Sequence, residues 1–278
     1  MDGRTWIAKL PDELEKQRDL LLGLLDAING DPRWRWLELG CSVADGRGDS
    51  LSDLDLGLGI SEDAWPGALD DLAALLARLS EPVDILRHRL SNVGDLAHER
   101  IFVEYANGAQ LDLVALPAQL PKGSPPENVI LYDPDALRAE RWPATVLQAN
   151  AAAVREWTFL GWVALADLAK YLRRGSLWEA LERLEQARTQ MWRLWAVARG
   201  IRYPLYGLTS VLDHPEIGLP PRIEETVAAL DAIDLQRAAL ACATLLAETG
   251  TSAARTVDGD VPAAMAHFVR RQLEEVTG

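Results

Sequence analysis

The chain has 278 residues, 49% of them apolar, and a formal net charge of −14. This length and apolar content predict one large or two ordinary folded domains rather than a disordered chain. The negative charge argues against binding of duplex nucleic acid, which requires a basic surface. It is compatible with simple solubility and also with cationic ligands.

The sequence shows no secretory or membrane-spanning pattern. The N-terminal stretch MDGRTWIAKLPDELEKQRD carries charges where a signal peptide has an apolar run, and no later segment stays uncharged for ~18 residues. The two cysteines, Cys41 and Cys242, have neither the spacing of a disulfide scaffold nor that of a metal site. We therefore expect a cytoplasmic protein with no membrane partner.

Residues 1–140 mix helical and strand patterns. Leucines recur with helical spacing in residues 12–29 and 66–79. Short apolar or alternating runs typical of strands are WRWLELGCS, LSDLDLGLGI, PVDILRHRL and the two halves of RIFVEYANGAQLDLVALP. Asn107-Gly108, inside the last of these, predicts a two-residue hairpin turn. This half is predicted to form a mixed α/β sheet.

Beyond residue 140 the pattern becomes helical. Long helical periods predict helices over residues 142–174, 176–199, 221–232, 235–248 and 261–276. Ser176 and Glu179 predict a capping box, with Gly175 ending the helix before it and Gly200 capping the helix that follows. PAQLPKGSPPENVILYDPD is typical of a linker or crossover. We therefore predict an α+β protein with a mixed-sheet domain at 1–140 and an all-α helical bundle at 141–278.

Two aspartates dominate the stretch GCSVADGRGDSLSDLDLGLGI. Asp53 and Asp55 are two residues apart, so on a strand both carboxylates lie on one face while Leu54 and Leu56 enter the core. Neighbouring carboxylates that both stay ionised need a compensating cation. Hard oxygen ligands on a rigid strand suit Mg²⁺ together with substrate phosphates.

Small residues precede the two aspartates. Gly40, Cys41 and Ser42 allow the backbone to approach a bulky polar group, and N–H groups at a strand-to-helix turn bind anions such as a triphosphate. An ordinary flexible turn is the alternative for these residues taken alone. Their position before the aspartate pair favours phosphate binding.

CSVADGRGDSLSDLDL resembles the signature of the nucleotidyltransferase superfamily related to DNA polymerase beta, written Gly-Ser, a spacer, then Ser-Asp-x-Asp-Leu. The spacing from Ser42 to Asp53 is similar to that of the antibiotic nucleotidyltransferases. Two positions depart from the pattern. Cys41 stands where the family usually has glycine, and Asp45 stands where a basic residue is common.

The resemblance implies a third carboxylate on a later strand. Asp112 fits, because it alternates with Leu111 and Leu113 in a predicted core strand, where an unpaired carboxylate is costly. A surface position on an edge strand is the alternative. Glu104 is a rival, but a two-residue turn at Asn107-Gly108 would pair it with Leu111 and direct it away from Asp112.

The resemblance further implies a Mg²⁺-dependent enzyme that transfers AMP from ATP to a hydroxyl of a small, cationic acceptor. An aminoglycoside-like antibiotic is the best candidate. Asp53, Asp55 and Asp112 would be the catalytic metal ligands, and Gly40 to Ser42 would bind phosphates.

Lys170, in the helical half, would be a further nucleotide contact or an ordinary solvated residue. An alternative function is a nucleotidyltransferase-like module of a toxin–antitoxin or regulatory pair that acts on a protein.

Overall fold

The computed structural model describes residues 2–93, 96–120, 122–143 and 147–276. Contacts divide the chain into two compact units, residues 1–142 and 143–278, and each unit has its own apolar core. The first unit contains a six-stranded mixed sheet with helices, and the described part of the second contains only helices and turns. The predicted α+β fold class is confirmed.

The sheet of the first unit has the strand order β3-β4-β5-β2-β1-β6. Its strands are β1 (Trp34–Leu39), β2 (Leu54–Ile60), β3 (Pro82–Val93), β4 (Leu96–Tyr105), β5 (Gln110–Pro117) and β6 (Val129–Tyr132). The helices of this unit are α1 (Gly3–Ile7), α2 (Glu15–Ile28), α3 (Cys41–Ala44) and α4 (Trp65–Leu79). The pair β2–β5 is parallel and the other neighbouring pairs are antiparallel.

One face of this sheet is apolar. Leu54, Leu56 and Leu58 alternate along β2, are buried, and belong to the same core cluster as leucines of α2 and α4, such as Leu24 and Leu72. Since side chains alternate along a strand, the residues between these leucines lie on the opposite face. The apolar face thereby forces the polar residues of β2 to the other side of the sheet.

Trp36 lies flat on that other face of the sheet. Its indole nitrogen donates a hydrogen bond of 2.9 Å to the carbonyl of Ala118. A Cβ atom added at Gly59 would lie only 2.1 Å from the same nitrogen. Glycine at this position is therefore required by the close approach of the ring.

A buried ion pair ties the segment after β5 to the same face. Arg138 donates to Glu38 over 2.6 Å, and both side chains are at most 7% exposed. Ser124 donates its hydroxyl to the same carboxylate over 2.6 Å, and the guanidinium lies 4.2 Å from the Trp36 ring centroid. The carboxylate is thus paired and hydrogen-bonded, as a buried charge must be.

The described part of the second unit is built on helices of different lengths. They are α5 (Ala151–Arg173), α6 (Leu177–Ala198), α7 (Leu208–Leu212), α8 (Ala232–Thr256) and α9 (Ala263–Glu274). Buried apolar residues of α5, α6, α8 and α9 form one cluster. Among the residues that the structure describes, none of the helices combines the length and the apolar character of a membrane span.

Several predicted elements differ from the structure. The helix predicted at 221–232 is wrong, because only a 3-10 turn over Ile223–Thr226 forms there and α8 begins at Ala232. In the helix predicted at 142–174, residues 144–146 lie outside the described residues, and α5 begins at Ala151. The predicted linker contains β6. Ser176 bonds the Glu179 carboxylate instead of a backbone N–H, so the capping box is incomplete.

The β4–β5 hairpin has a longer loop than predicted. The Tyr105 N–H donates to the Ala109 carbonyl over 3.0 Å, which leaves a three-residue loop with Gly108 at φ +75°. Glu104 therefore pairs with Gln110 rather than Leu111. The prediction that Glu104 faces away from Asp112 is wrong, since Gln110 and Asp112 lie on the same face of β5.

Candidate active site

Asp55 and Asp112 are direct neighbours on parallel strands. Asp55 of β2 and Asp112 of β5 are register partners, and Asp53 directly precedes β2. Paired residues of adjacent strands project to the same face. We call the sheet face that carries Asp55 and Asp112 the acid face. It is the face opposite the leucine core.

The loop before β2 is held by side-chain contacts that position Asp53. Gln17 of α2 is fully buried and donates a 2.8 Å hydrogen bond to the Ser52 carbonyl. Asp49 accepts a 2.8 Å hydrogen bond from the Leu51 N–H, and its own carbonyl accepts from the Ser52 N–H over 3.0 Å. The residue immediately before Asp53 is thus bound both to its own loop and to α2.

The segment Gly40–Ser42 is joined directly to Asp55. The Gly40 N–H donates a 2.9 Å hydrogen bond to the Asp55 carbonyl. Cys41 begins the four-residue helix α3 with a left-handed φ of +55°, an uncommon conformation for a residue other than glycine. Its side chain hydrogen-bonds the Asp55 carboxylate. Cys41 therefore links the predicted phosphate-binding turn to the aspartates.

Asp45, the second departure from the family pattern, follows α3. Arg47 donates a 2.9 Å hydrogen bond to the Asp45 carboxylate. The acidic side chain is therefore accompanied by a cation two residues later in the same loop. A local positive charge is present, but not at position 45 itself.

The pKa of the Asp55 carboxyl is raised to about 6, and burial is the largest cause. The negative charges of Asp53 and Asp112 contribute to this rise in pKa, whereas the Cys41 hydrogen bond and the positive charge of Arg100 oppose it. A carboxyl shifted in this way has two acidic neighbours within electrostatic range. The three predicted aspartates thus lie near one another.

Arg100 of β4 binds Asp112 through two hydrogen bonds. Its Nε donates to one carboxylate oxygen over 2.7 Å and its Nη2 to the other. The Asp112 side chain is 9% exposed and the Arg100 side chain 36%. Phe102 is the register partner of Asp112, and the guanidinium lies 4.2 Å from its ring centroid. Arg100 and Phe102 therefore share the acid face.

The sequence reasoning missed Arg100. The signal that identifies it is hairpin register: with a three-residue loop, Phe102 pairs with Asp112, and Arg100 lies two residues from Phe102 on the same face. The assumed two-residue turn placed the wrong residues of β4 opposite Asp112. The error of one residue in the loop thus concealed the partner of the third aspartate.

The donor chemistry of the three aspartates suits a hard divalent cation. Carboxylate oxygens are the protein ligands that Mg²⁺ prefers, and the repulsion felt by Asp55 favours a cation beside it. As the side chains stand, no three His, Cys, Asp or Glu residues in the described part of the chain are arranged to hold a metal ion. Asp112, in particular, is directed to Arg100.

Lys170 lies in the second unit, near the end of α5. Its ammonium donates to Asp167 over 2.5 Å and lies 4.8 Å from the Tyr171 ring centroid. Together with Arg173 and Arg174 it lines a groove of about 490 Å³. Its role as a nucleotide contact stays a prediction.

Among solved structures, the chain has a distant likeness to an adenyltransferase. An aminoglycoside 6-adenyltransferase from Bacillus subtilis aligns with 96% of this chain and 99% of its own, with 14% sequence identity and a TM-score of 0.40. No protein-family model and no curated protein sequence matches the chain. At this level of likeness, the function has to be argued from the site.

Proposed function

We propose that the chain is a nucleotidyltransferase that transfers a nucleoside monophosphate, AMP from ATP, to a hydroxyl of a small molecule. The observation that carries the proposal is the adjacency of Asp55 and Asp112 on parallel strands, with Asp53 immediately before β2. Support also comes from the turn at Gly40, whose N–H is hydrogen-bonded to Asp55. The aspartates and the turn proposed to bind phosphate are thus close to one another, at the C-terminal end of β1 and the N-terminal ends of β2 and β5.

Asp53 and Asp55 would hold Mg²⁺, with Asp112 as a third ligand or as the base that accepts the proton of the acceptor hydroxyl. When bound, the ion would neutralise phosphate charge during in-line displacement. The Gly40 N–H is bonded to the Asp55 carbonyl, so the backbone N–H groups of Cys41 and Ser42 and the Ser42 hydroxyl would orient the β and γ phosphates. The acceptor oxygen would form a bond to the α-phosphorus as pyrophosphate leaves, and the protein would act mainly by positioning charge.

A cationic acceptor of the aminoglycoside class agrees with the net charge of −14. This choice also rests on the resemblance of the Ser42–Asp53 spacing to that of the antibiotic nucleotidyltransferases. Two positively charged residues, Arg47 and Arg100, also lie near the site. Each is hydrogen-bonded to an aspartate. The acceptor class is therefore tested separately from the transfer itself.

The transfer is tested with labelled ATP and Mg²⁺, first with a panel of aminoglycosides and then with cell lysate. We expect label on a small molecule and release of pyrophosphate. Label on a protein instead would favour the alternative of a regulatory or toxin–antitoxin module. If no acceptor takes the label, not even water, the proposal is contradicted.

Substitution of the aspartates tests the residues. Asp55→Asn is expected to reduce transfer at least ~100-fold, because a metal ligand is lost. The matched control is Asp63→Asn, which removes the same charge at an exposed position beyond the opposite end of β2. Full activity of Asp55→Asn would rule out the mechanism, and circular dichroism would verify that both variants are folded.

A further inference from the structure

Arg100 takes both oxygens of Asp112, the carboxylate that the proposed metal site needs as its third ligand or base. The two hydrogen bonds form a bidentate, charge-assisted pair, which is among the strongest polar contacts in proteins. Asp112 is almost fully buried, so the guanidinium supplies the compensating charge that a buried carboxylate requires. The Arg100 guanidinium therefore supplies the positive charge beside Asp112 that a metal ion would otherwise supply.

Packing holds Arg100 in this arrangement. Its guanidinium lies over the Phe102 ring at 4.2 Å, and Phe102 is the direct cross-strand partner of Asp112. Arg100 itself is the register partner of Val114, two residues further along β5. The side chain thus runs diagonally across the β4–β5 pair, supported by an aromatic ring, to reach Asp112.

We propose that Arg100 is a positioning residue that competes with the divalent cation for Asp112. The guanidinium occupies both carboxylate oxygens of Asp112, so that neither is available to a cation shared with Asp53 and Asp55. Binding of the cation to all three aspartates requires the Arg100–Asp112 pair to separate. This inference rests on the proposed function, because it assumes that the aspartates form a metal site.

Competition of this kind has a thermodynamic consequence. A ligand that binds only after a pre-existing contact opens has its affinity reduced by the fraction of molecules in the open form. Loss of a charge-assisted bidentate pair would increase that fraction roughly tenfold or more. Arg100→Gln should therefore bind the cation more tightly than the unaltered protein.

The test measures binding of Mn²⁺ alone to the full chain, by electron paramagnetic resonance in the absence of nucleotide. We expect Arg100→Gln to lower the dissociation constant roughly tenfold or more, and Arg100→Lys, which keeps the charge but loses the bidentate geometry, to have a smaller effect. The matched control is Arg87→Gln. Arg87 pairs with Glu99 over 3.1 Å in the same sheet. Its substitution by glutamine removes one positive charge, as Arg100→Gln does.

Asp112→Asn separates competition for Asp112 from a general charge effect. Arg100→Gln in the Asp112→Asn background should change the Mn²⁺ dissociation constant by less than about threefold, since the contested ligand is gone. An equal gain in both backgrounds, or no gain with Asp112 present, would overturn the inference.

The outcomes also distinguish this inference from the proposed function. Mn²⁺ binding that is lost in Asp55→Asn but unchanged in Arg100→Gln would leave the metal site standing and refute the role of Arg100. Absence of Mn²⁺ binding in every protein would refute both. Thermal unfolding in a chelator checks folding, and Arg100→Gln should show the larger rise in melting temperature when Mn²⁺ is added.

Discussion

Cys41 occupies a backbone conformation that glycine adopts more easily, with φ at +55°. Its side chain is exposed and hydrogen-bonded to Asp55. The other cysteine, Cys242, is completely buried in the second unit, and this burial raises its pKa to about 12. The two thiols therefore differ in their access to solvent.

This difference predicts selective reaction with a thiol reagent such as dithionitrobenzoate. The thiolate is the reacting species, so Cys242 should stay unreactive in the folded protein near neutral pH. We expect one equivalent to react in the native chain and two in denaturant. Cys41→Ser should show none in the native state, and rapid reaction of a second thiol would contradict the burial of Cys242.

At the scale of elements, the contact between β1 and β2 depends on glycine. Gly59 of β2 is the register partner of Trp36, and Gly57, two residues earlier, lies beneath Glu38 and the same ring. The absence of side chains at these positions allows a tryptophan to lie flat across the strand. The two glycines thus belong to the packing of the face opposite the leucine core.

Gly59→Ala is expected to destabilise the protein by about 2–3 kcal/mol, because the new methyl group would overlap the Trp36 ring. Gly67→Ala is the matched control. Gly67 lies in α4 with open space around its Cβ position, so alanine should raise stability by about 0.5–1 kcal/mol. Urea unfolding measures both, and equal effects would show that the Trp36 contact is unimportant.

The sequence was most informative where periodicity is strong. The alternating leucines of β2 correctly predicted both the strand and the face that Asp55 occupies. The sequence did not predict β6, because this short strand lies inside a Pro- and Gly-rich stretch and is held by its pairing with β1. The partner of Asp112 also escaped prediction, since it depends on hairpin register, which changes with one loop residue.

At the scale of the whole molecule, the two units have separate cores. The cluster of the second unit comprises residues of four helices, among them fully buried Leu165, Leu184 and Leu246. α5, α6 and α8 have 23, 22 and 25 residues, longer than most helices of globular proteins. Such a cluster can support folding without the sheet.

We therefore expect residues 143–278, expressed alone, to give a helical circular dichroism spectrum and a cooperative thermal transition. The physical reason is that its buried apolar residues contact one another within the unit. The reference is the full chain measured under the same conditions. A spectrum typical of an unfolded chain would show that the helical unit needs the first unit to fold.

The buried Glu38–Arg138 pair limits how this sequence can change over time. Losing either member alone would leave an uncompensated charge in the interior, at a cost of about 3–5 kcal/mol, whereas replacing both by well-packed apolar side chains can be neutral or favourable. The two positions are 100 residues apart in the chain. Among descendants of this protein, they should therefore be retained or exchanged together.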